Sequence, residues 1–130
     1  MLQATGFDHI NMNVKDINET TQFYVNHFGF KVLEEGKSSS GLDFKIIGIP
    51  SKLSLAIYPS DNILNQDKQN INHIGIHLDN FSEALKYLDT HNIPYEYGGY
   101  VEYDNSRSIY IVDPNGYEIE LSEKFSGNLS

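Results

Sequence analysis

Apolar and polar residues alternate along 7–14 and again along 71–78, the two-residue period of a strand with one face buried. In the first stretch Ile10, Met12 and Val14 share one face, opposite His9, Asn11 and Asn13. In the second, Ile74, Ile76 and Leu78 oppose His73, Gly75 and His77. A helix is expected after each. Asp16-x-x-Glu19 and Asn80-x-x-Glu83 place an Asx side chain at the N-cap and a glutamate at the third helical position, which resembles a capping box. The first helix should end near Gly29 and the second near Asn92-Ile93-Pro94, where proline cannot continue it. Strand-like runs then follow in threes, at 30–36, 42–49 and 52–59 and at 94–100, 105–112 and 116–122, punctuated by Gly, Ser, Asn and Pro.

The two series are one pattern written twice. An offset of 64 lays FDHINMNVKDINETTQFY over INHIGIHLDNFSEALKYL, so His9 falls on His73, Asp16 on Asn80, Glu19 on Glu83, Phe23 on Tyr87 and His27 on His91. Each unit reads β-α-β-β-β, with 60–70 as the linker. The expected fold is α+β: two βαβββ repeats, about 6–59 and 71–122, forming a curved eight-stranded mixed sheet with helices outside. At 130 residues the chain should be a single domain, 1–130.

Composition narrows the chemistry. Without cysteine, disulfides, thiolate metal sites and cysteine nucleophiles are excluded. Eighteen acidic against nine basic side chains give a net charge of −9, which repels phosphate backbones and anionic lipid. Neither nucleic acid nor membrane is an expected partner; a small molecule is. No apolar run approaches the roughly 18 residues needed to span a bilayer, and MLQATGFDHI lacks the basic and apolar regions of a secretion signal. A cytoplasmic location is expected.

The apolar faces should pack beneath the helices. What remains is a second face carrying His, Asn, Ser, Tyr and Glu, which on an ordinary antiparallel sheet is the wet side. A histidine at the same place in both repeats, together with Glu120 on the closing strand, points instead to a divalent-metal site. Two imidazoles and one carboxylate bind such an ion and leave positions open for substrate. Glu118 has the same parity and would replace Glu120 if the register shifted by two. The position matching Glu120 in the first repeat is Ala56, so three protein ligands are expected. His77 lies four residues beyond His73, roughly 13 Å along a strand and too far for the same ion. His27 and His91 sit near helix ends, where imidazolium meets the negative end of the dipole. Asp43 is a weaker candidate for a general base.

FDHINMNV, the helix ending HFGF, INHIGIHLDN and SIYIVDPNGYEIEL together make the chain resemble the vicinal oxygen chelate superfamily. That group includes glyoxalase I, methylmalonyl-CoA epimerase, extradiol dioxygenases, fosfomycin-resistance thiol transferases and metal-free bleomycin-binding proteins. The resemblance covers nearly the whole chain and implies metal ligands at His9, His73 and Glu120. Asp113-Pro114-x-Gly116 makes the tight turn that aims the glutamate.

Departures from the pattern matter. Ala56 stands where glyoxalase I carries its fourth ligand and base. Tyr110, ten residues before Glu120, matches a tyrosine of extradiol dioxygenases and fosfomycin-resistance enzymes. The histidine that extradiol enzymes carry just before it is absent from YVEYDNSRSIY. The phosphonate-holding arginine that fosfomycin-resistance enzymes carry after the glutamate is also absent. The expected function is a metal-dependent lyase, isomerase or extradiol-type dioxygenase that chelates vicinal oxygens of a small metabolite. Tyr110 would hydrogen-bond that substrate, and Asn11 and Ser108 would orient it. The cofactor is one divalent ion, with Fe, Mn, Zn, Ni and Co all admissible. The alternative is a metal-free binding protein of the bleomycin-resistance type. Relatives of this length pair as homodimers, which the resemblance implies here.

Overall fold

The computed structural model describes Met1, Gln3 and residues 9–38, 40–61, 73–103 and 106–124. The chain divides into two compact units, Met1–Ile63 and Leu64–Ser130. The division falls inside the expected linker, of which 62–70 lie outside the described residues.

The first unit contains β1 (Ile10–Val14), α1 (Ile17–Phe28), β2 (Lys31–Lys37), β3 (Asp43–Ile49) and β4 (Leu53–Pro59). Its sheet runs in the order β1-β4-β3-β2. The second contains β5 (His73–His77), a 3-10 turn (Phe81–Glu83), α2 (Ala84–Thr90), β6 (Val101–Glu102), β7 (Arg107–Val112) and β8 (Glu118–Ser122), in the order β5-β8-β7-β6. In each unit the first strand pairs parallel with the last and the remaining pairs are antiparallel. A parallel pair needs a long crossover, which the helix and two intervening strands supply. The α+β class and the βαβββ repeat therefore hold, with the eight strands hydrogen-bonded as two four-stranded mixed sheets.

Local chemistry sets the helix ends. Oδ1 of Asp16 accepts from the backbone N–H of Glu19 at 2.8 Å, the expected N-cap. Gly29, at φ 67, ends α1 with paired bonds, Gly29 N to Val25 O at 3.2 Å and Phe30 N to Tyr24 O at 3.3 Å. Only a residue without a Cβ penalty takes that conformation cheaply. The second helix start departs from expectation. Asn80 (φ −106, ψ 40) makes no side-chain cap bond; its amide meets Glu83 Oε2 at 3.4 Å, and the helix begins with the 3-10 turn. Asn80 is not extended, so its side chain does not reach the first-turn N–H groups.

The strand expected at 94–100 is absent. Tyr97, Gly98 and Gly99 have φ of 56, 74 and 122, which an extended ladder cannot contain, and pairing is confined to Val101–Glu102. The segment is instead a loop tied to β7 by Glu96 N donating to Tyr110 O at 2.9 Å.

Alternation decides which faces are covered. Met12, Val14, Ile47, Leu55 and Ile57 form the first unit's apolar face together with Tyr24 and Phe30. Ile76, Ile109, Ile111, Ile119 and Leu121 form the second's, with Phe81 and Leu88. His9, Asn11 and Asn13 lie on the exposed face of the first unit. In the second unit the polar face is itself partly closed, with Ser108, Tyr110 and Glu118 all buried.

Candidate active site

Strand β8 is the spine of the second unit's site. Its parallel partner β5 sets His73 opposite Glu118 and Gly75 opposite Glu120. Its antiparallel partner β7 sets Tyr110 opposite Glu120 and Ser108 opposite Ser122. His73, Ser108, Tyr110, Glu118 and Glu120 therefore share one face, because all have the same parity in this register. The β7–β8 turn fixes that register. Oδ1 of Asp113 accepts from Asn115 N at 2.8 Å and Tyr117 N at 3.0 Å, and Gly116 adopts φ 88. An aspartate at the turn's start and a glycine at its left-handed position are what this geometry demands.

Nε2 of His73 lies 2.8 Å from Oε2 of Glu120, and its Nδ1 lies 3.8 Å from Oε1 of Glu118. The other oxygen of Glu120 accepts a hydrogen bond from the Ser108 hydroxyl at 2.6 Å. The imidazole and the carboxylate meet at hydrogen-bond distance; both are ligand types that a divalent cation takes, and the second carboxylate oxygen is anchored.

Three tyrosines stand around this pair. The hydroxyls of Tyr103 and Tyr110 share a short hydrogen bond. Tyr110 meets His73 edge-to-face at 5.9 Å between centroids and meets Tyr97 likewise at 5.3 Å. Burial, the hydrogen bond shared with Tyr103 and the charge of Glu120 push the Tyr110 phenol well above its ordinary range, so it stays protonated. The charge of Glu118, chiefly, raises the Tyr97 phenol. His73, Tyr97, Val101, Tyr103, Tyr110 and Glu118 line a cleft of about 490 Å³.

The second unit thus gathers four of the six expected site residues, His73, Glu120, Tyr110 and Ser108. His9, just before β1, and Asn11, on β1, belong to the first unit, where Asn11 pairs in register with the buried Ala56. Among the described residues, no three His, Asp or Glu side chains gather into a metal-holding group. Ser108 was expected to face substrate, and its hydroxyl is committed to Glu120. Asp43 forms an exposed ion pair with Lys37 at 2.6 Å. His91 stacks on Tyr87 at 3.9 Å, with Nδ1 2.9 Å from the Tyr87 carbonyl. Tyr97 and Tyr103 were missed. The Tyr97-Gly98-Gly99 run carried the signal, since a glycine pair marks a turn rather than a strand.

The chain's single arginine is engaged away from the cleft lining. Arg107 meets both oxygens of Glu123, Nη2 to Oε1 at 3.1 Å and Nε to Oε2 at 3.3 Å. Its guanidinium lies 4.6 Å from the Tyr100 centroid and 5.4 Å from that of Phe81.

A family model described as the Glyoxalase/Bleomycin resistance protein/Dioxygenase superfamily matches residues 6–121, and the chain belongs to that superfamily. It is 25% identical over 123 residues to the metallothiol transferase FosB of Staphylococcus epidermidis, covering 92% of this chain and 82% of that protein. It is 28% identical over 123 residues to the FosB of Lysinibacillus sphaericus, covering 92% and 83%. Among solved structures, the fosfomycin resistance protein FosX of Listeria monocytogenes, complexed with Mn(II) and sulfate, superposes with a TM-score of 0.71. The identity is 22%, with coverage of 95% of this chain and 96% of that one.

Proposed function

We propose that this chain is a metal-dependent enzyme that holds vicinal oxygens of a small metabolite on one divalent cation carried by His9, His73 and Glu120. The observation that carries the reading is the 2.8 Å approach of His73 Nε2 to Glu120 Oε2, made by adjacent strands of one sheet. His9 holds the same place in the first repeat as His73 in the second. Family membership and the metallothiol transferase relatives support it further.

A divalent ion bound there supplies Lewis acidity, stabilising negative charge on a substrate oxygen. The chain's own residues do the rest. Ser108 fixes the Glu120 carboxylate by holding one oxygen. Tyr110, kept neutral, donates a hydrogen bond to the substrate oxygen nearest the cleft wall, and Tyr103 orients its hydroxyl. Asn11 contributes a further polar contact to the substrate. The reaction is of lyase, isomerase or extradiol-dioxygenase type, and the transferase relatives add thiol addition to that range. By likeness to the family the protein is a cytoplasmic homodimer, which sedimentation and fractionation test. No described helix is long and apolar enough to cross a membrane.

The test is metal content by plasma mass spectrometry on untagged protein purified without chelator, with His9→Ala, His73→Ala and Glu120→Ala alongside. Near-stoichiometric metal in the wild type, lost in all three variants, is the expected result. Wild-type protein that neither carries nor takes up iron, manganese, cobalt, nickel or zinc would sink it. The aromatic walls of the cleft would then favour a metal-free binding protein.

A further inference from the structure

We infer that Asn115 is a modification site closed by the native fold: when the β7–β8 turn opens, its side-chain amide is expelled as ammonia and the residue becomes aspartate or isoaspartate. The inference stands apart from the metal reading and uses none of the proposed ligands.

The sequence supplies the chemistry. Asn115 is the one asparagine of the chain that a glycine follows. The backbone nitrogen after an asparagine can attack the side-chain carbonyl carbon, and glycine, without a Cβ and with the widest backbone freedom, obstructs that approach least. The new C–N bond closes a five-membered imide as the bond to the side-chain nitrogen breaks. The proton of the attacking nitrogen leaves with that amine as ammonia. Water then opens the imide at one carbonyl or the other, giving aspartate or isoaspartate. One water is consumed and one ammonia released, with no oxidant or reductant.

The structure withholds this chemistry from the folded chain. Asn115 and Asp113 are only 5% and 4% exposed. The attacking atom is the Gly116 nitrogen, and its N–H is engaged with the Asp113 carbonyl at 3.0 Å. The amide that must depart donates to Asp113 Oδ2 at 3.4 Å, while the Asn115 backbone N–H donates to Oδ1 at 2.8 Å. To reach the Asn115 side-chain carbon, the Gly116 nitrogen has to swing away from Asp113 and break the bond that closes the turn. Conversion therefore proceeds from the opened turn, at a rate set by the open fraction.

Neither product fits back into this turn. Both put a carboxylate beside buried Asp113 where an amide donor stood, which leaves like charges facing each other in a site nearly closed to water. Isoaspartate also lengthens the main chain by one methylene between Asp113 and Tyr117. The bonds from Asp113 N to Tyr117 O at 2.9 Å and from Tyr117 N to Asp113 Oδ1 at 3.0 Å require the present spacing. Those bonds fix the register that sets Tyr110 opposite Glu120. Opening of the turn is thus recorded as a permanent loss of the strand pairing that builds the cleft.

The experiment incubates the full chain at neutral pH, folded in buffer and unfolded in guanidinium chloride, and follows aspartate and isoaspartate at residue 115 by peptide mass spectrometry. Conversion is expected to run more than about tenfold faster in the unfolded chain than in the folded one. Converted chains returned to buffer should show a lower denaturation midpoint than unconverted chains carried through the same steps. Asn115→Asp, which is one of the two products, should lower the midpoint as well. Equal rates in buffer and guanidinium chloride would overturn the inference, as would an unfolded chain that stays unconverted at residue 115. Converted chains that regain the wild-type midpoint would overturn it too.

Discussion

The hydroxyl of Ser108 on β7 donates to Oε1 of Glu120 on β8 at 2.6 Å, while Oε2 of the same carboxylate faces His73. Ser108 is 1% exposed, so no water replaces it readily. Hydrogen bonds to charged groups contribute more than neutral ones, and partners that orient metal ligands tune affinity. Ser108→Ala should cost about 1–3 kcal/mol in denaturant unfolding and lower metal affinity on the order of tenfold. Unchanged affinity for added manganese or zinc would show that this bond does not position Glu120.

Tyr110 ties stability to alkaline pH. Its folded phenol pKa is raised by burial, Tyr103 and Glu120, whereas the unfolded phenol titrates near about 10. A raised folded pKa means that the native state holds its proton longer than the unfolded one. The contribution is therefore complete below the unfolded pKa and declines as pH rises through the interval above it. Wild-type unfolding free energy should fall more steeply than that of Tyr110→Phe above pH of about 10. Parallel pH profiles for the two proteins would contradict this. Near neutrality the variant should keep its fold, because the ring contacts with His73 and Tyr97 remain.

The two helix starts differ in a way mutation can read. Asp16 caps α1 through its bond from Glu19 N, and Asp16→Ala should cost about 1 kcal/mol. Asn80 makes no such bond, and Asn80→Ala should stay within about 0.5 kcal/mol. Equal losses in chemical denaturation would refute the difference.

Gly48 on β3 lies close against the backbone of β4. A Cβ there would sit 1.9 Å from the Leu53 carbonyl oxygen and 2.9 Å from its carbon, and both are backbone atoms. Relief requires shifting the β3–β4 hairpin. Gly48→Ala should destabilise the fold by roughly 2–3 kcal/mol, read as a lowered denaturation midpoint. A midpoint within error of wild type would mean that the hairpin yields freely.

Much of this architecture was legible from periodicity. The repeat, the strand parity of His73 and Glu120, and the Asp16 and Gly29 helix boundaries each rest on interactions within a few residues of chain. The failures were non-local or conformational. Asn80 has the residue type of a cap and lacks the backbone angle for one. Residues 94–100 alternate like a strand, yet Tyr97, Gly98 and Gly99 turn with positive φ, so that Tyr97 becomes a cleft wall. Glu118 was weighed only as a substitute ligand, because nothing in its own neighbourhood announces that parallel pairing sets it opposite His73.

By itself the sequence determined the α+β class, the doubled βαβββ plan, the residues of each strand face and the residue types able to hold a metal. Side-chain alternation and helix capping are short-range physics, written into consecutive positions. The tertiary structure decided which groups meet. It set the 2.8 Å approach of His73 to Glu120, committed Ser108 to that carboxylate, withdrew Arg107 to Glu123, and placed three tyrosines around a cleft that His73 and Glu118 also line. Strand register and loop conformation bring together residues dozens of positions apart, and they are settled by the packing of the whole sheet.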